Sequence, residues 1–496
     1  MTSGKNIFYN FINQLVSVLF PFFLIPLLSR TIGAEGLGIY SYTQAILQFF
    51  LVVGTFGLDI YGQRKIGAEK DDPIKRAEAF LEIFYLRLIL SALVLILFLG
   101  CTFLFFKEYR LFFFISSVFI LSSMLDLSWF YIGTNEYSLI TTRTFVVKIC
   151  SLAMVAIFVR GADSLPYYFI ITACTNLFAN TLLWLDLFKR RNIHFHRIAL
   201  YRLLKIMPFS LSVLAFQIIT IISGSITKLL IAKYVSIKDL GEYDTSMRLI
   251  LVIVTLVCAI PGTFVAQIAY ESSHKMEESL KNLMEKLISI IGLIAIPASG
   301  GLMVVSSLAA KVFLGNAFEH SGRILMLGAP IIYFNSLSYV VGSQYQIYSH
   351  KEKRFSSTLF ISFVIGTLAC ILVIPRFGVI GAIVTAVLGE AMVLNIHIFR
   401  SLQEINFFKI ILRCNWKPLV ATGIMMLIVS LSERLLGGVS AIICLTIEVL
   451  IGAVVYEVSV LFLKDRTNLI AMLKIINKLF PQCVGRESCN SKKPNP

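Results

Sequence analysis

Apolar residues run along the whole chain in blocks of twenty or so, separated by short polar stretches, and no block alternates strictly apolar with polar over ten residues. A block of that length, wound as a helix at ~1.5 Å per residue, crosses the ~30 Å hydrocarbon core of a bilayer. Within lipid a helix satisfies its own backbone hydrogen bonds, so the pattern predicts membrane helices rather than strands. The runs fall at 7–28, 38–61, 83–106, 110–132, 141–159, 166–187, 207–232, 243–269, 287–310, 324–348, 355–374, 378–399, 416–432 and 438–463, fourteen spans in all. The first is too long for a signal-peptide core and lacks a small-residue cleavage pattern, so it reads as a retained span. The expected fold class is therefore all-α, a polytopic membrane protein.

One phrase occurs twice. Residues 26–40 read PLLSRTIGAEGLGIY and residues 229–243 read LLIAKYVSIKDLGEY; without a gap they match Leu27 to Leu230, Leu37 to Leu240, Gly38 to Gly241 and Tyr40 to Tyr243, and set Arg30 opposite Lys233. Each copy joins one span to the next, and an even number of spans separates them, which predicts a parallel repeat related by an axis along the membrane normal. The expected organisation is two pseudo-symmetric six-helix lobes, 1–206 with a basic linker and 207–400, then two further helices in 401–463 and a tail, 464–496. Gly38 and Gly241 are expected to turn the chain at the outer surface, and Tyr40 and Tyr243 to anchor the next helix at headgroup level.

Composition agrees with the pattern. The chain is 57% hydrophobic and 15% charged with a mean hydropathy of +0.83, against ~25% charged for a soluble domain. A net charge of +16 invites a nucleic-acid reading, but no nucleic-acid module is present and the charge is distributed as topology: thirty of the 44 Lys and Arg fall on one set of connections, ten on the other and four within spans. Basic residues stay on the cytoplasmic side, so both termini are expected there. The connections are short, leaving no extramembrane domain, and no GxxxxGK[ST] motif is present. Leu469, Met472, Leu473, Ile476, Leu479 and Phe480 recur at helical spacing and predict an amphipathic helix at the inner headgroups, with KRRNIHFHRIALYRLLK (189–205) as a similar linker. The nine cysteines lack CxxC spacing and imply neither disulfide nor metal; no cofactor is expected.

Ionisable residues inside spans cost ~2.5–3.5 kcal/mol each even on lenient scales, so they mark function or pairing. Asp126 and Lys148 lie at matching depth on adjacent spans, a possible pair. Lys228 and Arg248 also match in depth but with like sign, which suggests an anionic guest; Arg87 reads as snorkelling. Glu390 and Glu448 sit mid-span without an evident partner, Glu390 being a candidate ion-coupling carboxylate, and Asp59, Arg64 and Lys65 cluster where span two ends. His397 reads as structural. Asn10, Asn13, Gln14, Gln44, Gln48, Gln217 and Gln267 offer groups for sugar hydroxyls or for helix bridging. Two lobes with no flanking domain suit an alternating-access transporter, with Pro and Gly in the spans permitting bending.

The stretches SRTIGAEGLGIYSYTQAI, FGLDIYGQRKIG, DLSWFYIGTNEYSLITTRTFVVKI (126–149) and IPRFGVIGAIVTAVLGE (374–390) resemble the polysaccharide-unit flippases of the Wzx type, the O-antigen translocases of the superfamily that also holds multidrug (MATE-like) exporters and the peptidoglycan-precursor (MurJ-like) flippase. The resemblance implies a bacterial inner-membrane protein that moves an undecaprenyl-pyrophosphate-linked oligosaccharide to the outer leaflet through a cationic cavity, in contact with membrane lipid and with the polymerase and chain-length proteins of the pathway as partners. By matching motif it places Arg30, Asp126 and Lys148 at that cavity. With the residues read above from charge and depth in the spans, substrate binding is expected at Arg30, Arg64, Asp126, Lys148, Lys228 and Arg248, and ion coupling at Asp59 and Glu390. Span seven departs from the family pattern, with Thr227 where relatives carry an acid. A multidrug or peptidoglycan-precursor exporter, or a membrane-embedded polymerase, stands as the alternative.

Overall fold

A computed structural model describes residues 20–69, 71–190, 196, 198–274, 276–349, 351–433 and 440–463. Its helices are α1 (Phe20–Thr31), α2 (Gly33–Thr55), α3 (Leu58–Ala68), α4 (Pro73–Leu104), α5 (Arg110–Met124), α6 (Ser128–Gly133), α7 (Tyr137–Phe158), α8 (Leu165–Arg190), α9 (Leu200–Leu204), α10 (Met207–Tyr234), α11 (Ile237–Gly262), α12 (Val265–Ser273), α13 (Glu277–Phe313), α14 (Ser321–Gly328), α15 (Pro330–Ser338), α16 (Glu352–Ser401), α17 (Phe407–Glu433) and α18 (Ala441–Phe462), with a π-helical turn at Tyr339–Ile347. The protein is all-α. Among the described residues eleven helical segments are long and apolar enough to cross a membrane. One of them, α16, is broken at Gly378 (φ 59°), where spans eleven and twelve were expected to meet. Most of span one, the tail helix and the middle of the linker lie outside the described residues.

Two compact units are present, Met1–Val252 with Ala310–Gly328 and Ser356–Gly389, and Ile253–Ala309 with Ala329–Phe355 and Glu390–Pro496. In the first, α4 begins sharply because Asp72 accepts the Ile74 and Lys75 N–H groups and Pro73 occupies the first helical position. Its core gathers Leu58, Ile66, Phe80, Phe84, Trp129, Phe130 and Leu183, with the Phe80 and Trp129 rings stacked at 5.7 Å. In the second unit, Met425 and Val429 of α17 pack with Tyr456 and Val460 of α18, and the Tyr456 hydroxyl donates to the Leu293 carbonyl at 2.9 Å. There His397 is fully buried, bonded through Nδ1 to Gln346 at 3.0 Å and stacked on Phe355.

The repeated phrase has a different purpose from the one expected. Gly33, at φ 71°, sits at the break between α1 and α2, while Gly38 and Gly241 lie inside helices. A Cβ on Gly38 would stand 1.8 Å from the Ile237 carbonyl oxygen, and a Cβ on Gly241 would stand 1.8 Å from the Ala34 carbonyl oxygen. Ile237 and Ala34 are themselves repeat-equivalent, so α2 and α11 cross on a local pseudo-twofold axis with backbone touching backbone. Small residues permit such an approach where packing, not hydrophobicity, holds helices together in lipid. The two tyrosines are not headgroup anchors: Tyr243 is 6% exposed, and Tyr40 packs against Tyr168 at 4.8 Å and Phe169 at 5.1 Å.

Candidate functional site

Beside that crossing, the first unit has a half-open cavity of about 340 Å³. Its walls come from α1 (Phe20, Leu24, Leu28), α2 (Leu37, Tyr40, Ser41), α7 (Arg143, Val147, Lys148, Ser151), α8 (Tyr168, Thr172, Asn176) and α11 (Asp244, Thr245, Arg248). The wall is mixed: apolar side chains of α1, α2 and α7 alternate with charged, hydroxyl and amide side chains of α2, α7, α8 and α11. Three cations, Arg143, Lys148 and Arg248, reach this space against one carboxylate, Asp244. The Lys148 ammonium lies 5.6 Å from the centre of the Phe20 ring, a cation–π arrangement.

Asp244 is the residue that reading the spans missed. Only 5% exposed, it accepts from Lys228 Nζ at 2.7 Å, from Arg248 Nε at 2.9 Å and from the Ser41 hydroxyl. Lys228 and Arg248 therefore share one counter-ion and are not the two unneutralised cations their spacing suggested. Ser41 and Asp244 are 203 residues apart, the offset of the repeat, so the bond joins equivalent positions of the two helices. Extending the repeat alignment by one residue was the signal that could have found it.

Asp126 belongs to a second network. Arg87, 1% exposed, donates through Nε to the Ser123 carbonyl at 2.7 Å, pairs with Asp59 through Nη1, and brings Nη2 to 3.8 Å from Asp126. The snorkelling reading of Arg87 is thus wrong: two carboxylates and the exposed carbonyl at the end of α5 hold it inside. Arg143 Nη1 lies 4.0 Å from Asp126 and 3.1 Å from Asn180 Oδ1, linking this network to the cavity wall. The depth match that suggested Lys148 for Asp126 overlooked both arginines. The D-x-x-W-F stretch builds the bend between α5 and α6, for Asp126 Oδ1 accepts the Ser128 N–H at 3.0 Å and Trp129 Nε1 donates to the Asp126 carbonyl at 3.1 Å.

The structure therefore brings Lys148 and Arg248 into the cavity wall, with Lys228 behind Asp244, adds Arg143, Asp244, Ser41 and Tyr168, which sequence reading passed over as site residues, and places there Tyr40, which was expected at the headgroups. Arg30 does not line this cavity; its guanidinium donates to the Val312 carbonyl at 2.7 Å, at the end of α13. Arg64 is exposed on α3, away from the cavity wall, and Asp59 is engaged by Arg87. Glu390 belongs to the second unit, hydrogen bonded to Asn335, and Glu448, 2% exposed, accepts from Cys444 at 3.5 Å. Of the amide groups expected to meet sugars, Asn10, Asn13 and Gln14 lie outside the described residues, and Gln44, Gln48, Gln217 and Gln267 are absent from this cavity's wall. The second unit has its own polar cavity of about 710 Å³ at loop ends, lined by Glu271, Lys281, Tyr345, Lys351 and Glu404 among others. Partial burial there raises the Glu404 carboxyl, but hydrogen bonds from Lys351 and Tyr345 and the charge of Arg354 outweigh it and hold the group below its ordinary range.

The sequence profile of the polysaccharide biosynthesis protein family matches residues 3–266, more than half of the chain. The chain belongs to the polysaccharide biosynthesis protein family. Among relatives of this family member is a candidate O-antigen transporter of Escherichia coli (strain K12), 23% identical over 401 residues, covering 78% of this chain and 94% of the relative. A protein of Haloferax volcanii named a probable low-salt glycan biosynthesis flippase is 24% identical over 230 residues, 46% of this chain and 48% of its own. Among solved structures, the lipid II flippase MurJ in an inward closed conformation superposes with a TM-score of 0.70 at 14% identity, covering 91% of this chain and 98% of that one. An inward-facing multidrug MATE transporter of the MOP superfamily gives 0.58 at 13% identity over 82% and 94%. The polysaccharide biosynthesis family member thus has the MurJ and MATE transporter fold.

Proposed function

We propose that this protein is a transporter, not an enzyme: a flippase that carries a lipid-linked oligosaccharide, joined to undecaprenyl through pyrophosphate, from the inner to the outer leaflet of a bacterial cytoplasmic membrane. The carrying observation is the cavity whose wall, among membrane helices, holds Arg143, Lys148 and Arg248 with Asp244 as its one lining carboxylate. An oligosaccharide and a pyrophosphate cannot enter hydrocarbon without losing several kcal/mol per unpaired polar group. A cationic hollow lowers that barrier for the head, while the polyprenyl tail stays in lipid. Tyr40 and Tyr168 supply flat aromatic walls and hydroxyls, and Thr172 and Asn176 supply polar groups suited to sugar. Relatives named for O-antigen transport and glycan flipping support the substrate class.

In this reading the repeat-related halves rock by alternating access, both termini lie in the cytoplasm, and Lys148, Arg248 and Lys228 receive the phosphates. Arg30 and Arg64, outside the cavity wall here, and Asp126, which positions Arg143, take part through other states of the cycle or through neighbours. Glu390 is the proposed coupling carboxylate; Asp59, held by Arg87, is the weaker choice of the two. The test is deletion of the gene with assay of surface polysaccharide and of lipid-linked repeat units. The expected result is loss of the first and build-up of the second at the inner leaflet, both restored by the wild-type chain. Unchanged surface polysaccharide overturns the reading, and a change confined to drug susceptibility points to a multidrug exporter.

A further inference from the structure

The three donors to Asp244 differ in what they can do. Arg248 lines the cavity with 45% of its side chain exposed, and Lys228, outside the cavity wall, lies 2.7 Å from Asp244 Oδ1, so an anion that takes the carboxylate's place meets both cations; the Asp244 side chain is itself buried, 7% exposed. Ser41 has no charge, and its bond to Asp244 spans α2 and α11 three residues beyond the glycines at which their backbones touch. The carboxylate therefore performs two tasks with one set of oxygens. It neutralises the cations beside the cavity, and it ties the two repeat-related helices together.

We propose that Asp244 is an internal substitute for the substrate's phosphate, and that a phosphate entering the cavity displaces it from Lys228 and Arg248 and so loosens the tie between α2 and α11. This rests on the flippase reading above, which supplies the anionic head. The physical basis is competition: a pyrophosphate bears more charge and more acceptor oxygens than one carboxylate and takes the two cations by charge-assisted hydrogen bonds. Deprived of both, a buried Asp244 is left with a hydroxyl alone, and its position beside Ser41 is no longer favoured. A ligand shifts a conformational equilibrium only by interacting differently with its two states, and this arrangement provides the difference. The empty cavity holds the crossing closed through Asp244; the filled cavity does not.

The probe is inorganic pyrophosphate, titrated calorimetrically into the purified full-length chain in detergent, with amide hydrogen exchange followed in residues 33–45 and 237–250. Wild type is expected to exchange faster in both segments when pyrophosphate is present. Asp244→Asn, which frees the cations, is expected to bind pyrophosphate ~10-fold more tightly and to show fast exchange without it, while Asp244→Glu stays within ~3-fold of wild type. Ser41→Ala cuts the tie and leaves the ion pairs intact, so it is expected to exchange fast in both segments with affinity within ~3-fold of wild type; it also serves if Asp244→Asn fails to fold. The inference is overturned if Asp244→Asn gains no affinity, if Ser41→Ala exchanges as wild type does, or if pyrophosphate leaves wild-type exchange unaltered or fails to bind. None of these measures export, so the inference can fail while deletion still abolishes surface polysaccharide, and the reverse result removes the flippase reading alone.

Discussion

Replacing Arg87 by leucine removes a buried cation from between two carboxylates and leaves the Ser123 carbonyl, which accepts its Nε at 2.7 Å, without that donor. Breaking a buried ion pair from one side costs ~3–5 kcal/mol because the partner's charge stays behind. Here the carboxylates are not fully enclosed, with 31% of the Asp59 side chain and 25% of the Asp126 side chain exposed, and water takes up part of the orphaned charge. A loss of ~2–3 kcal/mol, about 30- to 150-fold in the folded-to-unfolded ratio, is the expected effect. Trp129 and Trp184 report on it directly, since their indoles donate to the Asp126 and Leu125 carbonyls in the same bend. The assay is denaturant unfolding in detergent, followed by tryptophan fluorescence, for Arg87→Leu, Asp59→Leu and the double variant. Removing both partners should cost less than the sum of the singles by at least ~1 kcal/mol, and Arg87→Lys, which cannot fork toward Ser123 and Asp59 together, should fall between wild type and Arg87→Leu. Stability of Arg87→Leu within ~0.5 kcal/mol of wild type refutes the reasoning, because a snorkelling arginine would give that result.

Other perturbations follow from the same geometry. Gly38→Ala and Gly241→Ala each drive a methyl into a carbonyl oxygen and should lose ~1–3 kcal/mol or more in thermal melts, by similar amounts because the sites are equivalent; Gly224→Ala, with nothing within 4 Å, should be neutral or slightly stabilising. Lys148→Ala should lower surface polysaccharide ~10-fold or more at unchanged protein level, while Lys148→Arg keeps part of it; normal export by the alanine variant removes Lys148 from the substrate path. Glu404, with its carboxyl depressed in the folded protein, stabilises its loop fully above the unfolded value of ~4.3 and loses that contribution as pH falls through the lower folded value. Limited proteolysis should therefore show the loops near Lys351 and Glu404 opening on acidification below ~pH 4, and Glu404→Gln should make them equally open at neutral pH; a pH-independent cleavage pattern contradicts this.

How much of this was legible depended on the length scale of each signal. Membrane helices show in the sequence because lipid demands some twenty apolar residues in a row, and the glycine break at 378 fell where the pattern put it. Side-chain partners are another matter. Asp126 and Lys148 were matched by depth alone, but depth says nothing of the direction a side chain takes around its helix, and Arg87 and Arg143 approach Asp126 from α4 and α7. Arg87 looked like a surface cation since it stands one turn from a predicted span end; the ion pairs that keep it inside come from Asp59 and Asp126, 28 and 39 residues away in the chain.

The repeat was legible as a fact and misread as a turn. A glycine followed by an aromatic residue at a span boundary has two physical uses, reversing a chain and admitting a neighbouring backbone, and a single sequence does not separate them. Duplication does. A turn is local and each copy would serve itself, so nothing would require the two glycines to sit at one register; a helix crossing on a twofold axis needs both at the same place, since each must receive the carbonyl that the other copy presents. Ala34 and Ile237 are those carbonyls. The same symmetry brings residue 41 to residue 244, and there the copies diverge into Ser41 and Asp244, which makes a hydrogen bond possible where two identical carboxylates would repel. The shared register brings the two positions into contact, and the difference between the copies at that one pair places a negative charge beside the cations of the cavity.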